Sequence, residues 1–130
     1  MSDIMNIKVH LDCDNSPKRK LIKQLTIDFV SYNLEQVKPF LDENVSWTLV
    51  GEPAVNGREQ FLTELNQMKD NRAISLEIHQ ILTHGKSAAV SGEMTMQDGI
   101  VYGFADIYEF TSAASKMVRR ITSYVVPIKQ

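Results

Sequence analysis

Residues Ser87 to Val126 read as three long consecutive strands, and this stretch limits what the rest of the chain can build. Ser87 to Gln97 nearly alternates polar with apolar, and Asp98-Gly99 follows. Asp-Gly between two such runs is a strong signal for a two-residue hairpin, because both central residues of a type I′ turn need positive φ. The next run, Ile100 to Phe110, alternates Tyr102, Phe104, Asp106, Tyr108 and Phe110 against Gly103, Ala105, Ile107 and Glu109. A small polar loop then leads into Met117 to Val126, which is rich in β-branched residues.

A two-residue turn would pair Gln97 with Ile100 and so assign every side chain to a face. Asp106 then falls opposite Ser91, Phe104 opposite Glu93 and Tyr102 opposite Thr95. One face is expected to carry the aromatic residues around Asp106, with Glu93 diagonal to it. The other face would carry Val90, Met94, Met96, Val101, Ala105 and Ile107. Pairing Phe110 with Met117 adds Ile121, Ser123 and Val125 beside Asp106, sets Arg119 across from Tyr108, and leaves Tyr124 outside over Gly103. A carboxylate in the middle of an aromatic row is unexpected in a sheet that needs only a core.

The remaining elements follow in order. Ile7, Val9 and Leu11 alternate with polar residues, so residues 1–16 are expected to form an arm or a short edge strand. Asn15-Ser16-Pro17 announces a helix to about Tyr32, by a capping side chain and a first-turn proline. Asn33 and Gln36 suggest a capping box for a short helix, Leu34 to Leu41, disturbed by Pro39. Asn44 to Val50 is a strand centred on Trp47. Asn56-Gly57 opens a third helix, with Phe61, Leu62, Leu65 and Met68 on one face. Ile74, Leu76, Ile78 and Leu82 alternate with Ser75, Glu77 and His79 in a strand that turns at His84-Gly85-Lys86. Helices followed by antiparallel strands indicate an α+β fold, and residues 17–130 are expected to be one domain. Strands of this length curl, and helices filling only part of the hollow would leave an internal pocket.

The formal net charge of −2 offers no basis for binding nucleic acid or an anionic membrane. The single cysteine, Cys13, rules out an internal disulfide and suits a reducing compartment. No segment approaches the roughly 20 apolar residues of a membrane span. The N-terminus lacks a signal pattern, so a soluble, cytoplasmic protein is expected. His10, His79 and His84 share no spacing typical of metal ligands, and His79 reads as an exposed strand histidine, so neither a metal nor a cofactor is expected.

Three segments in this order, Asn44-Val45-Ser46-Trp47-Thr48-Leu49-Val50-Gly51-Glu52-Pro53, Asn56-Gly57-Arg58-Glu59 and Gly103-Phe104-Ala105-Asp106-Ile107-Tyr108-Glu109-Phe110, carry a resemblance. The chain from about Pro17 to Val126 resembles the nuclear transport factor two-like superfamily, and more narrowly its SnoaL-like (polyketide cyclase) branch, relatives of ketosteroid isomerases and limonene epoxide hydrolase. The resemblance implies a curved antiparallel sheet wrapped around N-terminal helices, a cystatin-like α+β barrel or cone with an internal pocket. It also implies a homodimer through the outer sheet face, where Met94, Met96, Val101, Ile107 and Tyr124 are expected. Asp106 matches the acid that ketosteroid isomerases keep protonated. The isomerase base is replaced here by Thr48, and its tyrosine falls near Gln24, so that mechanism does not carry over. The acid–arginine–acid set of the epoxide hydrolase is not visible.

Two functions remain. One is binding of a small hydrophobic or cyclic ligand, with Trp47, Tyr102, Phe104, Tyr108, Ser91 and Ser123 around it. The other is a cofactor-independent isomerase, cyclase or hydrolase using Asp106 as acid/base, with Glu93 as a weaker helper. Against both stands a structural reading, in which Asp106 is satisfied by Ser91, Ser123 or tyrosine hydroxyls and Trp47 is core.

Overall fold

In the computed structural model, residues 5–13 and 15–128 are described. The start of the expected N-terminal arm, residues 1–4, and the last two residues of the expected domain lie outside this set. The elements run β1 (Asn6–Val9), α1 (Pro17–Val30), α2 (Leu34–Val37), a 3₁₀ turn (Lys38–Phe40), β2 (Leu41–Leu49), β3 (Val55–Asn56), α3 (Arg58–Gln67), β4 (Ala73–His84), β5 (Ser87–Met96), β6 (Val101–Phe110) and β7 (Val118–Pro127). The strands form one curved sheet in the order β1-β4-β5-β6-β7-β2-β3, open at its two edges. It is mixed: β1 runs parallel to β4 and β2 parallel to β7, while the remaining pairings are antiparallel.

Local chemistry accounts for α1. Ser16 caps it by accepting from the Arg19 N–H at 3.2 Å, and Pro17 opens the first turn. Its inward face, Ile22, Leu25 and Thr26, is almost fully buried, each aliphatic side chain contributing about 2 kcal/mol of burial. α1 packs against β4, and α3 packs against β2. Helix α3 begins at Gly57, whose φ of +95° suits only glycine, and Asn56 makes no side-chain cap. Asn33 does not cap α2 either. Its side chain instead donates to Asp28 Oδ1 at 3.2 Å, alongside Gln24.

The Asp98-Gly99 hairpin forms, but not with the expected turn. Met96 pairs with Ile100 around a three-residue loop, and only Gly99 takes positive φ, at +89°. Asp98 Oδ1 accepts from the Ile100 N–H at 3.0 Å, which holds Asp98 on the right-handed side. Gln97 is drawn away to the Asp70 and Arg72 carbonyls of the α3–β4 turn. The register is therefore one residue from expectation: Val90 lies opposite Asp106, Gly92 opposite Phe104 and Met94 opposite Tyr102. A shift of one residue exchanges the two faces of β5 relative to β6.

The β6–β7 register is shifted by two, which preserves the faces. Asp106 lies opposite Ser123 and Tyr108 opposite Ile121, and Tyr124 sits outside over Ala105 rather than Gly103. Arg119 falls at an irregularity beyond Glu109 and makes an ion pair with that residue at 3.4 Å instead of facing Tyr108. A further bulge in β4 at His79 turns Ile81 inward and leaves Leu82 exposed.

Candidate functional site

The concave face of β5, β6, β7 and β2 carries Met94, Tyr102, Phe104, Asp106, Tyr108, Ser123 and Trp47. Two adjoining cavities open on it. The outer, about 230 Å³, is walled by Trp47, Tyr102, Phe104, Met94, Met96 and Val125 among others. The inner, about 100 Å³, is closed by Phe29, Phe61, Leu65, Tyr108 and Ile121. Asp106, Ser123 and Trp47 line both, so the carboxylate stands at their junction. Trp47 stacks on Phe61 with centroids 5.0 Å apart, which fixes the indole as the partition.

The polar groups are connected. Trp47 Nε1–H donates to Ser123 Oγ at 3.0 Å, and the Ser123 hydroxyl donates in turn to Asp106. Asp106 keeps part of its surface open to the cavity, but the surrounding walls remove bulk water. Burial pushes its carboxyl up from 3.8 to about 6, against the Ser123 hydrogen bond, which lowers it. Deeper in, Tyr108 is fully buried and its hydroxyl is bonded to Thr26. Thr26 Oγ1 already donates to the Ile22 carbonyl at 2.8 Å, so the tyrosine is the donor. Burial, and secondarily the Asp106 charge, push the Tyr108 phenol far up, and it stays neutral. At the mouth Tyr32 adopts φ +56° and donates to the Asn71 carbonyl at 3.2 Å, joining the end of α1 to the α3–β4 turn.

Of the candidates, Asp106, Trp47, Tyr102, Phe104, Tyr108 and Ser123 come together here. Ser91 and Glu93 do not. The register puts them on the convex face with Gly103, Ala105 and Tyr124, where Glu93 lies 3.6 Å from His79. Met94 and Met96, expected outside, line the cavity for the same reason. Thr48 pairs with Thr122 and lines neither cavity. The contributions of Met68, Tyr32 and Asn71 depend on the ends of α1 and α3 being brought together by the fold, which no local pattern announces. A larger groove of about 550 Å³ runs along the other side of Trp47 past Glu52 and Glu64. Its lining mixes apolar residues such as Leu49, Pro53 and Val55 with Asn56 and Gln60, and it does not reach Asp106. His10 and His79, which with His84 share no metal-ligand spacing in sequence, meet Glu77 on the convex face.

The SnoaL-like domain family matches residues 24–120, most of the chain. The protein belongs to the SnoaL-like family. Solved structures of this fold resemble the chain at low identity. An NTF-2 like protein of unknown function from Burkholderia xenovorans LB400 is 12% identical with TM-score 0.74, covering 92% of this chain and 90% of its own. A protein from Shewanella denitrificans OS-217 assigned as a SnoaL-like polyketide cyclase is 8% identical with TM-score 0.72, covering 85% and 91%. An LEH-like epoxide hydrolase of M. tuberculosis is 14% identical with TM-score 0.68, covering 82% and 80%. No curated protein matches the sequence significantly. This SnoaL-like chain therefore shares its fold with proteins of diverse chemistry. Among its described residues, no helix is long and apolar enough to cross a membrane.

Proposed function

We propose that this SnoaL-like protein binds a small, largely apolar cyclic molecule bearing a carbonyl or similar acceptor, anchored by Asp106. The observation that carries this is the position of Asp106: one raised carboxyl at the junction of two cavities with otherwise apolar or neutral walls. A neutral acid in an apolar site is a strong hydrogen-bond donor to a ligand oxygen. The volumes fall at or below the lower end of the roughly 300–1,000 Å³ that ligand sites usually span, which favours a ligand of one or two rings. The protein acts in the cytoplasm, in keeping with its buried unpaired thiol, Cys13. It does so as a homodimer through the convex face, where Val101, Ile107 and Tyr124 remain of the expected apolar set.

A second reading is a cofactor-independent isomerase, cyclase or hydrolase with Asp106 as acid/base. A carboxyl near 6 is suited to proton transfer at neutral pH, which favours this reading as the alternative. Trp47 is the sole tryptophan, so its fluorescence reports directly on the cavity. Small cyclic ketones, lactones and epoxides should quench it saturably. Asp106→Leu should weaken that binding at least about tenfold by removing the donor. Asp106→Asn keeps a donor but cannot exchange a proton. Retained binding with no turnover in either protein supports the binding role, and turnover lost only in Asp106→Asn supports the enzyme. Unaltered fluorescence with every such compound would overturn both.

A further inference from the structure

On the convex face, away from the cavity, Glu77 and Glu93 are direct cross-strand partners of β4 and β5. Two carboxylates facing each other across a ladder repel unless something positive lies between them. Among the described residues, their ion-pair partners are imidazoles: His10 Nε2 is 3.2 Å from Glu77 Oε2, and His79 Nε2 is 3.9 Å from Glu77 and 3.6 Å from Glu93. Lys8 acts on Glu77 only from farther away. One ligand atom from each of His10, Glu77 and His79 lies within 4.8 Å of the others. The backbone brings both histidines there. Alternation along β4 sets His79 on the same face as Glu77, and parallel pairing of β1, extended by the His10 N–H to the Ile78 carbonyl at 3.0 Å, seats His10 beside them.

The geometry points to a divalent-cation site formed by His10 Nε2, Glu77 Oε2 and His79 Nε2, selective for borderline first-row metals such as Zn²⁺. Tetrahedral Zn²⁺ with bonds of about 2.0–2.1 Å needs its ligand atoms roughly 3.4 Å apart. The His10–Glu77 distance already approximates this, and the His79–Glu77 distance exceeds it by only a small side-chain rotation. Two imidazoles and a carboxylate suit zinc, copper or nickel rather than calcium or magnesium, which prefer oxygen. Three protein ligands leave a fourth position, within reach of Glu93 or open to water. His10 is distant in sequence from Glu77 and His79 and reaches them only through the β1–β4 pairing, which is why spacing alone does not show the site.

The test is calorimetric titration of the untagged, metal-free chain with Zn²⁺, and separately with Mg²⁺. One Zn²⁺ should bind per chain and raise the melting temperature, while Mg²⁺ should not compete. His79→Ala and Glu77→Gln should each weaken Zn²⁺ binding by more than about tenfold, and His84→Ala, at the far end of β4, should leave it unchanged. All the variants should keep the wild-type circular dichroism spectrum. No binding of Zn²⁺ to the folded wild type, equal affinity in His79→Ala and Glu77→Gln, or half a Zn²⁺ per chain would overturn a site contained in one chain.

Discussion

Trp47 Nε1 and Ser123 Oγ lie 3.0 Å apart, and this bond joins β2 to β7 where the two cavities meet. Because the indole donates to the hydroxyl oxygen, the hydroxyl proton is free to go to Asp106. An aromatic wall and a buried acid are thereby held in one geometry without a second ionised group between them. Phe61 fixes the indole from the other side.

Ser123→Ala removes the acceptor of one buried group and the donor of another. The unsatisfied indole N–H should cost about 1–3 kcal/mol of stability. Asp106 should titrate higher than in the wild type, since the Ser123 bond is what lowers it. Urea unfolding followed by Trp47 emission, with the pH dependence of stability, reads both effects.

The raised carboxyl gives stability a definite pH dependence. Asp106 releases its proton near 3.8 when unfolded and near 6 when folded, so its contribution falls as pH rises through that window and is level above it. Asp106→Asn should be more stable than wild type at neutral pH, by up to about 3 kcal/mol. The advantage should vanish below pH 4. Paired denaturant titrations at pH 4 and pH 7.5 measure the difference.

Ligand affinity should follow the same proton. If a carbonyl accepts from neutral Asp106, the apparent Kd should be level below pH 6 and rise about tenfold per unit well above it. Trp47 quenching at pH 5.5 and 8 provides the comparison.

Gly92 lies opposite Ile78 beside the β4 bulge, and a Cβ there would collide with the Glu77 backbone carbonyl. Backbone yields little, so Gly92→Ala should cost about 1–3 kcal/mol. Its thermal melting, compared with that of Ala105→Gly on the opposite face of the neighbouring strand, separates the clash from general strand effects.

How much could be read from the residues alone depended on how local the cause was. Ser16-Pro17 marks the start of α1 because capping is settled within one turn. The place of the hairpin was legible from Asp98-Gly99. Its register was not, because the choice between a two- and a three-residue loop depends on Gln97 reaching Asp70 and Arg72. That single choice exchanged Ser91 and Glu93 with Met94 and Met96. Asp106, Phe104 and Tyr108 kept their common face because they lie on one strand, where alternation alone decides. His10 and His79 meet only through the parallel β1–β4 pairing, which alternation in either strand does not encode.

The most direct measurement is a ¹³C NMR titration of the Asp106 side-chain carboxyl in the ligand-free protein. A midpoint near 6 that rises when a cyclic carbonyl compound fills the cavity is the predicted result. A midpoint near 3.8, unaffected by any cavity occupant, would contradict the account.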